Sequence, residues 1–138
     1  MRTAIDTNVI SALWSSEPLA AEMTKRLGQA QMDGGLVISA PVYVELLAHP
    51  KATASFVEEF LAKTKVTVDF DLDETVWREA GKSFALYAER RRESGGGHPK
   101  RLLVDFLIGA HASLRADRLL TLDRNRYAQS FSNLSFWP

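Results

Sequence analysis

Two hydrophobic periods take turns along this chain. Short apolar runs at residues 2–5, 36–39, 65–70 and 118–122 have the length of strands, and the stretches between them carry apolar residues at helical spacing. Residues 8–14 predict a brief helix. Residues 19–32 predict a longer one, with Leu19, Met23 and Leu27 on one face, Pro18 in its first turn and Gly34-Gly35 beyond its end. Ala40-Pro41 opens a helix at 42–49 that stops before Pro50, because the residue preceding proline disfavours helical geometry. Phe56, Val57, Phe60 and Leu61 predict a helix at 52–63. Asp73 suits the N-cap of a helix at 74–93 whose Val76, Trp77, Ala80, Phe84 and Tyr87 face a core. Gly95-Gly96-Gly97-His98-Pro99 breaks the chain, a strongly apolar helix resumes at 101–115, and 134–137 is a candidate fifth strand at an edge.

Strands alternating with helices predict a three-layer α/β/α sandwich around a central, mostly parallel sheet of four to five strands. Right-handed crossovers then leave the carboxyl ends of the strands on one rim. With 138 residues and 46% hydrophobic content, the expectation is one domain over residues 1–138, since a chain of this length buries about 70% of its unfolded surface.

Against that frame four acids stand out. Asp6 closes the first apolar run, where a buried strand gives way to a helix, the location at which open α/β sheets place their chemistry. Asp123 follows Leu119-Leu120-Thr121-Leu122 in the same way. Glu45 lies within Pro41-Val42-Tyr43-Val44-Glu45-Leu46-Leu47, and Asp105 within Leu102-Leu103-Val104-Asp105-Phe106-Leu107-Ile108. Each has an ordinary structural alternative. Asp6 and Asp123 suit helix N-caps, Glu45 suits a partly exposed helix position, and Asp105 suits an ion pair with Arg101 one turn earlier. As a set they say more, because a buried carboxylate costs several kcal/mol unless it is partnered. Asp69, Asp71 and Asp73 form another acidic run, but their clustering reads as a solvated turn.

Four converging carboxylates repel one another, and a hard cation relieves that repulsion. Oxygen ligands without cysteine or a histidine pair favour Mg²⁺, with Mn²⁺ as a substitute, over zinc. The matching chemistry is phosphodiester hydrolysis by metal-activated water.

Composition narrows the partners. Lys plus Arg and Asp plus Glu each number 17, so contact with a polyanion requires a local basic patch. Arg101 and Arg124 are the candidates for phosphate contact, with Arg126 beside the latter; Arg90 to Arg92 suit a helix C-terminus. Cysteine is absent, which removes disulfides and thiolate metal sites. No segment approaches the roughly 20 apolar residues of a membrane span, so the expectation is a soluble, cytoplasmic protein without a membrane partner. His49, His98 and His111 are scattered and suggest no histidine site. Trp14, Trp77 and Trp137 read as packing residues. Leu13, Leu19, Val57, Phe60 and Leu61 read either as core or as an exposed groove.

Four stretches, Ile5-Asp6-Thr7-Asn8-Val9-Ile10, Ser39-Ala40-Pro41-Val42-Tyr43-Val44-Glu45-Leu46, Arg101 to Ala112 and Leu120-Thr121-Leu122-Asp123, resemble in order and spacing those of the PIN-domain nucleases, in particular the VapC-like toxins. The likeness spans essentially the whole chain. It implies that Asp6, Glu45, Asp105 and Asp123 are the acidic metal-binding and catalytic residues, with Thr7, Asn8 and Thr121 on polar positions beside them. It also implies a Mg²⁺-dependent endoribonuclease that cuts single-stranded or looped RNA, forms a homodimer and is blocked by a VapB-like antitoxin. This chain departs from the family where Arg124-Asn125-Arg126-Tyr127 follows Asp123, since another acid and Phe often stand there; Asn125 is the candidate replacement for that acid. The glycine-rich approach to Asp105 is a second departure.

Rival readings fit less well. An aspartyl phosphatase would want an acid at position 8, which is Asn8. A receiver domain would want an acid adjacent to Asp6. A P-loop would want a glycine-rich loop ending in Gly-Lys-Ser/Thr, which this chain lacks. The principal alternative is a non-catalytic PIN-like module that binds RNA or protein, and its mark would be a damaged acidic set.

Overall fold

The computed structural model describes residues 1–16, 18–96 and 102–138. Within them, strands β1 (Thr3–Ile5), β2 (Leu36–Ser39), β3 (Val66–Asp69) and β4 (Arg118–Leu120) form an all-parallel sheet in the order β3-β2-β1-β4. Thr3 pairs with Leu36 on one side and Arg118 on the other, and Leu36 pairs with Val66. Every residue of β1 and β2 is buried, which is why these central strands read as apolar runs without alternation. The chain lays down β1, β2 and β3 in one direction, then returns to place β4 against the free edge of β1. That reversal makes the β1/β4 boundary the switch point of the sheet, where neighbouring connections part and leave a crevice beyond the strand ends.

Seven helices accompany the sheet among the described residues: α1 (Thr7–Trp14), α2 (Ala20–Asp33), α3 (Ala40–Leu47), α4 (Ala54–Thr64), α5 (Glu74–Glu93), α6 (Leu103–Arg115) and α7 (Arg124–Ala128). The result is the expected three-layer α/β arrangement. Helices α5 and α6 pack through Phe84 and Phe106, stacked with ring centroids 4.6 Å apart, and Tyr87 and Phe131 flank the same ring. Aromatic pairs of this kind add about 0.5–1.5 kcal/mol each beyond the area they bury. Gly109 lets α6 approach this cluster, since a Cβ there would overlap the Phe131 ring.

Several expectations shift. Helix α3 begins at Ala40, two residues early, because Pro41 needs no intrahelical donor in a first turn. Helix α6 begins at Leu103, so Asp105 lies in its first turn, where a carboxylate favours the positive helix end. The edge strand expected at 134–137 shrinks to one bridge, Leu119 with Phe136, held by Leu119 N to Ser135 O (2.8 Å) and Trp137 N to Leu119 O (3.0 Å). Trp137 lies instead under the Arg118 guanidinium, 4.0 Å from the ring centroid. The acidic run is only in part the solvated turn expected: Asp71 and Asp73 are exposed, but Asp69 is largely covered. Asp69 Oδ2 lies 3.1 Å from Nε2 of the buried His111 and accepts from Arg115 Nη1 at 3.3 Å, and Asp73 takes Arg115 Nη2 at 2.6 Å while capping α5. Those contacts tie β3 and the start of α5 to the end of α6. The groove alternative divides: Val57 and Leu61 are core, Leu13 and Phe60 are partly buried, and Leu19 is exposed. Trp14 is buried edge-on against His49, Phe56 and Phe60.

Candidate functional site

Asp6 leaves β1 and Thr121 leaves β4 at the switch point, and Asp6 N continues the ladder by donating to Leu120 O at 3.0 Å. The Asp6 side chain is 3% exposed at the N-cap position of α1 and makes no cap bond to the amides beyond Thr7. Two hydroxyls instead donate to the same oxygen, Asp6 Oδ2: Thr121 Oγ1 at 2.7 Å and Tyr127 OH at 2.8 Å. Burial pushes the Asp6 carboxyl above its ordinary range, while the hydrogen bonds from Thr121, Tyr127 and the Thr7 backbone pull the other way. The Tyr127 phenol is pushed up by burial and by the adjacent carboxylate, which keeps it a donor.

Thr121 is the hub of the rim. Besides donating to Asp6, its Oγ1 accepts from Asp123 N at 3.1 Å and from Asn8 Nδ2 at 3.4 Å, and Asn8 Oδ1 accepts from Leu122 N at 3.2 Å. Asn8 and Thr121 thereby fix the turn that presents Asp123. That acid does cap α7, accepting from Arg126 N at 3.2 Å through Oδ1, and its Oδ2 lies 3.3 Å from Arg126 Nε. Across the crevice, Thr7 Oγ1 donates to Glu45 Oε1 at 2.5 Å and so holds the α3 acid against the start of α1.

Asp105 is 14% exposed, and its cationic neighbour among the described residues is Arg126, whose Nη1 lies 3.5 Å from Oδ1. Arg101, the partner expected one turn earlier and a candidate phosphate contact, lies outside the described residues. Glu45, Asp105 and Asp123 line one open cleft of about 640 Å³ together with Tyr87, Arg91, Leu102, Val104 and Arg126. Asp6 sits behind it, joined to Asp123 through Thr121. Hydrogen bonds and ion pairs thus hold side chains from four separate parts of the sequence, 6–8, 45, 105 and 121–127, around this crevice. Among the described residues no three Asp, Glu or His groups close around a common point as they stand. The donor set is nonetheless all carboxylate and hydroxyl oxygen, the chemistry that suits a hard divalent cation.

Arg124, the other candidate phosphate contact, donates from Nη2 to Trp137 O at 2.6 Å and lies over the Phe136 ring. It borders a second cleft with Thr121, Leu122, Asp123 and Asn125, on the far side of Asp123. Arg126 and Tyr127, by contrast, face the acids. They were discernible as the third and fourth residues after Asp123: if Asp123 starts a helix, that spacing returns both side chains to its own face.

A model of the PIN domain matches residues 3–131. No curated protein matches. Among solved structures, VapBC2 from Rickettsia felis bound to a DNA fragment from their promoter superposes with a TM-score of 0.70 at 19% identity, covering 99% of this chain and 98% of that one. VapBC-1 from nontypeable Haemophilus influenzae superposes with a TM-score of 0.65 at 23% identity, covering 99% and 97%.

Proposed function

Because this chain belongs to the PIN-domain family, we propose that it is a Mg²⁺-dependent endoribonuclease, the toxin of a VapBC-type pair, with Mn²⁺ able to substitute. The observation that carries this reading is that Asp6, Asp105 and Asp123 are tied together through Thr121 and Arg126 beside the sheet's switch point, with Glu45 held by Thr7 on the same cleft as Asp105 and Asp123. These four would hold the metal. When bound, the ion would supply a polarised, oriented water as nucleophile and positive charge for the leaving oxygen.

The chain's own residues prepare that site. Thr121 and Tyr127 hold one oxygen of Asp6 in place, so its orientation is set before a ligand arrives. Thr7 does the same for Glu45, and Asn8 fixes the turn before Asp123. The cleft beside the acids is open enough to admit an extended strand, which favours single-stranded or looped RNA over a duplex. Arg124, on the neighbouring cleft past Asp123, is assigned to phosphate contact, and so, from the sequence alone, is Arg101.

Partners follow the same reading. The apolar cleft bordered by Leu13, Trp14, Leu27 and Phe60 suits a segment of a VapB-like antitoxin. Exposed Val44 and Phe70, the latter edge-on against Tyr43, suit a second copy of this chain in a homodimer. None of the described helices is long and apolar enough to cross a membrane, and we assign the protein to the cytoplasm, where its RNA would be found.

Purified protein is expected to cleave a mixed RNA pool in Mg²⁺ and to stop in EDTA. Asp6→Asn and Asp105→Asn are expected to abolish cleavage while the circular dichroism spectrum stays unchanged. Equal turnover by the folded variants would reject the assignment, and RNA binding without metal-dependent cleavage would favour the non-catalytic module. Expression without an antitoxin is expected to arrest growth; harmless accumulation of active enzyme would remove the toxin role.

A further inference from the structure

The Arg126 guanidinium bridges two of the four acids. Its Nη1 is 3.5 Å from Asp105 Oδ1 and its Nε is 3.3 Å from Asp123 Oδ2. Both separations exceed the 2.7–2.9 Å of a tight charge-assisted bond, and neither carboxylate is gripped by two parallel donors. The side chain is 38% exposed at the mouth of the cleft. It is therefore close enough to neutralise the acids and loose enough to leave them.

Of the other cations, Arg91, which also lines the cleft, donates to the Gly96 carbonyl, and Arg124 is turned to the Trp137 carbonyl. Arg126 faces the acidic centre from α7, Asp105 faces it from α6, and Asp123 faces it from the turn before α7. Leu102 and Val104 border the same cleft.

We propose that Arg126 is a built-in counter-ion that competes with the divalent cation for Asp105 and Asp123, so that metal entry requires the guanidinium to withdraw. This rests on the reading of the four acids as a metal site. The physical basis is that a guanidinium beside these carboxylates neutralises part of their charge and repels an incoming divalent ion, so occupancy by one cation opposes occupancy by the other. Arg126 would thus weaken metal affinity while relieving repulsion among the acids whenever the metal is away. Arg126 N, which caps through Asp123 Oδ1, is a backbone group and survives any substitution of the side chain.

The test is calorimetric titration of the whole protein with Mn²⁺ alone, in wild type, Arg126→Gln and Arg126→Lys, with circular dichroism as the check on folding. Arg126→Gln is expected to bind Mn²⁺ about tenfold more tightly, a coupling in the range usual between sites that share groups. Its thermal midpoint without metal is expected to fall, and its gain on adding Mn²⁺ to exceed the wild type's. Arg126→Lys, which keeps the charge, is expected to stay near wild type. Arg126→Met gives the same test should the Gln variant not fold. Unchanged or weaker Mn²⁺ binding by the charge-removing variants, with wild type binding, would overturn the counter-ion alone. Absence of Mn²⁺ binding in every form would overturn the metal site and the counter-ion together.

Discussion

The Tyr127 hydroxyl donates a 2.8 Å hydrogen bond to Oδ2 of Asp6, a carboxylate 121 positions away in sequence and almost wholly buried. A buried acid that loses a donor retains its desolvation penalty without compensation. Tyr127→Phe is therefore expected to destabilise the fold by about 1.5–3 kcal/mol, the range for hydrogen bonds to charged groups. Urea unfolding at neutral pH checks this, and a change within error would mean that Thr121 alone satisfies the oxygen.

Asp6 itself is a stability cost at neutral pH. Its folded carboxyl lies above its ordinary range because burial disfavours the charge, so the contribution it makes to stability is present below that ordinary range and lost as pH rises through the folded value. Asp6→Asn keeps an acceptor for Thr121 and Tyr127 without the charge. Without metal it is expected to melt above wild type at about pH 7, with the gap closing below about pH 4. Adding Mg²⁺ is expected to raise the wild-type midpoint only. Scanning calorimetry at several pH values reads both effects, and a lower midpoint for the variant at neutral pH would contradict them.

His111 has the opposite linkage. Burial holds its imidazole below the ordinary histidine range, partly offset by Asp69, while Arg2 and Arg115 also disfavour the proton. The stability it contributes is present above the ordinary range and lost as pH falls through the depressed value. A proton NMR titration is expected to place the His111 midpoint below about 6.5, the model-peptide value. A midpoint at or above that value would show that the Asp69 contact outweighs burial.

Gly109 is expected to be intolerant of any side chain, because a Cβ would overlap the Phe131 ring packed across α6. Gly109→Ala should cost about 1–3 kcal/mol, as overpacking of a filled core does. Adding Phe131→Leu to that variant is expected to recover part of the loss. Equal destabilisation in the single and double variants, measured by urea unfolding, would place the conflict elsewhere.

Much of the fold was readable because its determinants are local. The central strands are short apolar runs, Gly34-Gly35 follows a helix, and Asp73 marks the start of α5 so clearly that its span matches the expected 74–93. The edge strand at 134–137 was not readable, since alternation there reflects Trp137 and Phe136 meeting Arg118 and Arg124 rather than a ladder. Asp69 was misjudged for a related reason: its neighbours in sequence are acidic, but its partners come from α6. At the site, the four acids stood out because each interrupts apolar surroundings. Arg126 and Tyr127 were discernible only by their spacing after Asp123, because five residues of α7 are too few to show a period and their contacts come from distant segments.

The crevice at the sheet's switch point draws on both chain ends, with Asp6 held by Thr121 and Tyr127. A ribosome making this polypeptide therefore delivers the acid 115 and 121 residues before its two hydroxyl clamps. Until position 127 has emerged, the growing chain lacks the pieces that orient Asp6, so the crevice takes shape only after most of the sheet has been made.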